Sequence, residues 1–212
     1  MIDSIIFDLD GTLWDSTTEV ANAFNQVLTA KHPEIKEVVT PLRLQELFGL
    51  PLDVIAEKLY QSVPREHAVK VMEECCEYEC EYLAEHGAVL YEGLEDALKE
   101  LSKKYKLMIV SNCQEGYIQC FFAAYPHLEQ YFRDYEYPGR SGKLKADNIR
   151  MVVERNKLNN PIYVGDTQGD ANAAGEAGVP FIFARYGFGD VREYDGVIDS
   201  LDELVKLADV KQ

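Results

Sequence analysis

Apolar positions gather in short runs separated by polar stretches with a helical period. Ile5-Ile6-Phe7, Leu107-Met108-Ile109-Val110, Ile162-Tyr163-Val164 and Phe181-Ile182-Phe183 read as buried strands, and Val197-Ile198 as a weaker one. Leu94, Ala97, Leu98 and Leu101 recur at helical spacing, as do Leu201, Leu204, Val205 and Ala208. Near-continuous apolar strands alternating with amphipathic helices predict an α/β fold, a parallel sheet with helices on both faces. Such sheets bind ligands outside the carboxyl ends of their strands.

One connection breaks the rhythm. A parallel crossover needs roughly a dozen residues, yet the first two strong strands are separated by residues 8–106. Residues 16–86 carry only helical patterns, interrupted at Pro33, Pro41, Gly49-Leu50-Pro51 and Pro64. The expected organisation is an α/β core from residues 1–15 and 87–212 with an inserted α-helical cap at 16–86. A helix over 92–105 leads back to the sheet. An insertion entering just past a strand's carboxyl end can close over a site as a lid, or be a structural appendage.

The chain has 212 residues and a net charge of −16. That balance argues against nucleic acid and anionic membranes as partners, because a phosphate backbone needs Lys and Arg to replace its counterions. It also serves plain solubility. A phosphate site on such a chain needs a local cation and backbone amides. No apolar run approaches the ~18 residues of a membrane span, and Met1-Ile2-Asp3-Ser4 lacks a basic leader; the expectation is a cytoplasmic protein. Five cysteines at no zinc-like spacing and four scattered histidines fit a reducing compartment. Cys76 and Cys80 share a helical stripe with Val69, Met72 and Leu83 and read as small buried hydrophobes, and Cys113 reads the same way.

The chemistry concentrates at the ends of the strand-like runs. Asp8-Leu9-Asp10-Gly11-Thr12 follows the first run. Side chains two apart on an extended chain share a face, so two carboxylates point the same way. Like charges that close repel unless a cation intervenes or one takes a proton. Asp-Gly is also an ordinary turn, and the motif alone leaves both readings open. Val110-Ser111-Asn112 ends the second run, where a hydroxyl and backbone amides can hold a phosphoryl oxygen or simply cap a helix. Lys145 opens the helical pattern of Ile149, Val152 and Val153, a position unfavourable to a cation for dipole reasons, and Lys143 competes with it. Gly165-Asp166-Thr167-Gln168-Gly169-Asp170 ends a third run and brings two more acids, the oxygen-rich set Mg²⁺ prefers.

Taken in order, Asp8-x-Asp10-Gly11-Thr12, Ser111-Asn112, Lys145 and Gly165-Asp166-x-x-x-Asp170 resemble the four motifs of the haloacid dehalogenase superfamily. The helical insertion after the first motif resembles the cap of its phosphoglycolate phosphatase-like group. The resemblance implies a Rossmann-like parallel sheet core. It implies Asp8 as nucleophile, forming an aspartyl phosphate, and Asp10 as general acid and then base. Ser111, Asn112 and Lys145 are implied as phosphate-binding groups. Mg²⁺ is implied on Asp8, the Asp10 carbonyl and Asp166, with Asp170 direct or through water. The second Asp of the first motif matches members acting on phosphate esters rather than the dehalogenases. Lys145 is followed by Ala146 where the family usually has Pro; Lys-x-x-Asn-Ile opening a helix resembles a variant third motif and favours Lys145 over Lys143. The implied activity is hydrolysis of a small phosphorylated metabolite. Two alternatives remain: a sugar phosphomutase, disfavoured because no His follows closely after the first motif, and a non-catalytic binding module. Phe48-Gly49-Leu50-Pro51 resembles the cap's specificity loop, or is a plain helix-helix turn. Oligomeric state is not legible.

Overall fold

The computed structural model describes residues 2–210; residue 1 and residues 211–212, the outer limits of the expected core, lie outside the described residues. In chain order the elements are β1 (Ser4–Phe7), β2 (Trp14–Asp15), α1 (Thr17–Lys31), α2 (Pro41–Gln45), α3 (Leu52–Leu59), α4 (Arg65–His86), β3 (Val89–Leu90), α5 (Leu94–Ser102), β4 (Lys106–Val110), α6 (Tyr117–Ala124), α7 (Pro126–Glu129), β5 (Phe132–Glu136), α8 (Pro138–Ser141), α9 (Lys145–Arg155), β6 (Pro161–Gly165), α10 (Gln168–Ala177), β7 (Phe181–Ala184), β8 (Gly196–Ile198) and α11 (Leu201–Val210).

Six strands form one sheet in the order β5-β4-β1-β6-β7-β8, and every pairing is parallel. The chain lays β4 and β5 to one side of β1, then crosses to the other side for β6, β7 and β8. The order reverses beside β1, where a crevice opens at the carboxyl edge. Phe7 is in register with Ile109 of β4 and Val164 of β6. The residues that follow these strands therefore leave the sheet side by side.

The period of two divides the core. Ile5 and Phe7 face the cluster that includes Leu98 of α5 and Leu204 of α11. Ile6 faces the opposite cluster, with Ile149 and Val152 of α9 and Ala174 of α10. The five strand-like runs all form strands here. β5 is the strand that the apolar pattern does not announce. Its sequence, Phe132-Arg133-Asp134-Tyr135-Glu136, mixes charge with aromatics because it is an edge, paired only with β4. The helix expected over 92–105 is shorter at Leu94–Ser102, because Gly93 enters it in a left-handed conformation.

Helices α1–α4 lie between the two short strands β2 and β3, which pair antiparallel through Trp14↔Leu90 and Asp15↔Val89. Three of the helix breaks are proline-set: Pro41 opens α2, while Pro51 and Pro64 immediately precede α3 and α4. α4 packs against α1 and α3, and also against α6. No described helix is long and apolar enough to cross a membrane.

Trp14 sits where the helical insertion leaves the sheet. It is fully buried, and its ring meets Tyr117, Phe121 and Tyr125 edge-on at centroid distances of 5.9, 5.0 and 6.5 Å. Trp14→Ala is expected to destabilise the fold by about 3–5 kcal/mol through the cavity it leaves. Urea unfolding followed by far-UV circular dichroism checks this; an unchanged midpoint contradicts the packing role.

Candidate active site

Asp8 is the first residue past β1. Its amide donates to the Val164 carbonyl at 2.8 Å, extending the β1–β6 pairing by one step, and its side chain is buried at the crevice. The chain then turns sharply. Gly11 adopts φ +78°, and a Cβ there would overlap the Asp166 carboxylate, so the turn needs glycine both for its backbone and for its space.

Asp10 is anchored through one oxygen. Its Oδ1 accepts from Trp14 Nε1 at 2.8 Å, Ser16 Oγ at 2.5 Å and Tyr117 Oη at 2.8 Å. Burial pushes its carboxyl up to about 7 against the pull of the Ser16, Tyr117 and Trp14 hydrogen bonds, with the Asp8 charge adding to the rise. Asp8 is pushed up to about 6, again by burial, with the Lys145 charge opposing and the Asp170 charge adding.

Lys145 opens α9 and is buried, with its ammonium 2.8 Å from Asp8 Oδ1 and in contact with Asp170 Oδ1. Burial alone would depress this lysine, but the Asp170 and Asp8 carboxylates overcome it and raise it well above the usual range. Lys143 is exposed and makes neither contact. The macrodipole penalty at a helix start is thus offset by two carboxylates. Asp170 is held from both ends: Lys145 takes Oδ1, while the Thr167 amide and hydroxyl donate to Oδ2 at 2.9 and 2.7 Å in a capping box that starts α10.

Asp166 follows β6 and is fully buried. Its Oδ2 accepts from the Phe188 amide at 2.7 Å, whereas Oδ1 is buried with no hydrogen-bond partner. Burial first, then the Asp170 and Asp8 charges, raise its carboxyl well above the ordinary range. Asp8, Asp166 and Asp170 each place an oxygen within 4.8 Å of the others. Three carboxylates share one ammonium, and one of their oxygens is orphaned. That donor set, all oxygen and negatively charged, fits a hard divalent cation.

Ser111 follows β4, is buried and hydrogen-bonds Asp8. The Asn112 side chain reaches across to the helical insertion, where its Nδ2 donates to the Gly49 carbonyl at 2.9 Å. Gly49 has φ +89° and rests on Thr167, and Phe48 meets Phe188 at a centroid distance of 6.1 Å. The loop Phe48-Gly49-Leu50-Pro51 therefore touches the segments that follow β4, β6 and β7 at the sheet's carboxyl edge. A cavity of about 40 Å³ remains beneath it, lined by Asp8, Asp10 and Ser111 on the sheet side.

Several residues of the site carry no signal in the sequence. Trp14 and Ser16, shortly after the motif, and Tyr117, far along the chain, anchor Asp10. Glu79 of α4 and Gln114 line the same cavity. The histidines are also less scattered than they read: His32 and His67 lie on the helical insertion with Glu34 between them, at 3.4 and 3.0 Å.

A doubly wound α/β sheet thus gathers two acidic motifs, one hydroxyl-bearing motif and one lysine at one carboxyl edge. The profile of the haloacid dehalogenase-like hydrolases matches residues 5–184. The chain belongs to that family and is a hydrolase. It is 27% identical over 226 residues to the phosphoglycolate phosphatase of Pseudomonas fluorescens, covering 95% of this chain and 78% of that protein. It is 26% identical to the phosphoglycolate phosphatase of Vibrio parahaemolyticus, covering 97% and 96% of the two chains. The structure of a haloacid dehalogenase-like family hydrolase from Streptococcus pneumoniae superposes with a TM-score of 0.78 at 25% identity, over 98% of each chain.

The raised carboxyls give a signed pH dependence. Folded Asp8 and Asp10 hold protons to about 6 and about 7, against 3.8 for the free side chain. Their contribution to stability is complete below the unfolded value and lost as pH rises through the folded values. In chelator, the melting temperature is expected to fall between about pH 4 and about pH 7, and Asp10→Asn to flatten the fall. An equally steep fall in that variant contradicts the assignment.

Proposed function

We propose that the chain is a cytoplasmic phosphomonoester hydrolase acting on a small phosphorylated metabolite. Asp8 is its nucleophile and Asp10 its general acid and base. The observation that carries this is the placement of a buried Asp8 carboxylate against Lys145, Ser111 and Asp166 at the sheet's reversal point. The phosphoglycolate phosphatases among its relatives support the reaction class, and five free cysteines support a reducing compartment.

An Asp8 oxygen attacks phosphorus, forming an aspartyl phosphate, a mixed anhydride, while the bond from phosphorus to the leaving oxygen breaks. Asp10 gives that oxygen its proton. With Oδ1 occupied by three donors, Oδ2 carries the proton, and a carboxyl near 7 matches a group that must be acid and then base at neutral pH. Asp10 then takes a proton from water, which attacks phosphorus and releases phosphate from Asp8. Lys145, Ser111 and the Asn112 amide bind the equatorial oxygens, where transition-state charge spreads. Asp170 acts through Lys145, whose ammonium it holds in place.

The orphaned Asp166 oxygen and the all-oxygen donor set fit Mg²⁺. Asp8, the Asp10 carbonyl and Asp166 would hold it, and when bound it offsets phosphoryl charge and orients the ester. A cavity of about 40 Å³ does not admit a phosphate ester. Helices α1–α4 therefore act as a cap that opens about the β2–β3 connection for substrate entry and product release.

Asp8→Asn is expected to lower kcat by about 10⁴ or more while the far-UV spectrum and melting transition persist. Retained turnover refutes the nucleophile assignment. In the wild type, EDTA is expected to abolish release of inorganic phosphate and Mg²⁺ to restore it. Activity indifferent to chelation refutes the metal reading, and an isomerised ester in place of free phosphate turns it to a mutase.

A further inference from the structure

The cavity beneath the cap loop has a chemistry of its own on the side away from Asp8. Phe24, Phe48, Ile55 and Met72 make most of that wall apolar. Two polar side chains interrupt it. Glu79 projects from the middle of α4 and is 3% exposed; its Oε2 accepts from Gln114 Nε2 at 2.5 Å. No Lys, Arg or His lines this cavity among the described residues. Lys143 and Lys145 line an adjoining outer cleft, which meets this cavity at Leu52, Asn112 and Gln114.

We propose that Glu79 and Gln114 form the leaving-group subsite, built for a phosphate monoester whose leaving group is uncharged and bears a hydroxyl, and set against one whose leaving group ends in a carboxylate. This rests on the phosphatase reading above and specifies its substrate class. The leaving group must lie on this wall, because the sheet side of the cavity is occupied by the groups that hold the phosphoryl. A substrate carboxylate placed there would be desolvated among aromatic and aliphatic side chains with no cation to pair it, which is costly. A hydroxyl meets both an acceptor and a donor. Burial pushes the Glu79 carboxyl well above its usual range, which favours the neutral form that can give a hydrogen bond as well as accept one. A site with buried polar groups positioned for a hydroxyl discriminates strongly against ligands that leave them unpaired. Phosphoglycolate ends in a carboxylate, so this chain differs in its preferred substrate from relatives that carry that name.

The test compares two esters of equal length, 2-hydroxyethyl phosphate and 2-phosphoglycolate, which differ in CH₂OH against COO⁻. Acetyl phosphate serves as a small third substrate that reports the phosphoryl chemistry. With the wild type and Mg²⁺, kcat/KM for 2-hydroxyethyl phosphate is expected to exceed that for 2-phosphoglycolate by about tenfold or more. Glu79→Ala is expected to collapse this ratio toward unity, chiefly by raising KM for 2-hydroxyethyl phosphate. Gln114→Ala, on the more exposed partner, reads the same ratio if Glu79→Ala does not fold. Phosphoglycolate turned over as well as or better than its alcohol counterpart overturns the proposal, as does a preference that survives in both variants. No phosphate release even from acetyl phosphate contradicts the phosphatase reading itself.

Discussion

Three carboxylates buried at one sheet edge, balanced by a single lysine, are the constraint on which the molecule turns. Asp8, Asp166 and Asp170 arrive from β1, β6 and the start of α10, and Lys145 from the start of α9. Without Lys145 the cluster would be an uncompensated buried charge, one of the costlier arrangements a protein can hold. With it, Asp8 and Asp170 are paired and Asp166 keeps an orphaned oxygen. The fold supports this arrangement at several points. The β1–β6 register sets Asp8 opposite Gly165, one residue before Asp166. Gly11 yields the space that the Asp166 carboxylate fills, and the Thr167 capping box fixes the second oxygen of Asp170.

The same edge connects catalysis to the helical insertion. Trp14 and Ser16 lie where the chain leaves the sheet, and both donate to Asp10. Asn112, just past β4, holds the Gly49 carbonyl of the cap loop. A movement of α1–α4 about β2 and β3 would therefore disturb the acid–base group and the cap-loop tether together. On the proposed closure, water would leave the cavity, which would strengthen each electrostatic interaction inside it.

The sheet is legible in the sequence because its central strands are buried on both faces and read as unbroken apolar runs. β5 is not, because an edge strand is partnered on one side only and its polar residues are held by tertiary contacts: Arg155 pairs with Asp134 and Glu136. The chemistry was legible where it follows a strand end, since motif and element identify each other there. Lys145 and Lys143 look alike as letters; the start of α9 buries one and exposes the other. Glu79 is the instructive failure. It sits among the acidic residues Glu73, Glu74, Glu77 and Glu81, and a charged letter there draws no notice. Helical spacing places it on the inward stripe of α4 with Met72, Cys76 and Leu83, and only its charge hid it.

The central claim is that the residual negative charge of this cluster is the binding site of one divalent ion. Isothermal titration of Mg²⁺ into the metal-free protein measures it without relying on any substrate. The account predicts saturable binding of one ion per chain in the wild type and its loss in Asp166→Asn, with the fold of that variant intact. Equal Mg²⁺ affinity in the two proteins, or no saturable binding to the wild type, would contradict it.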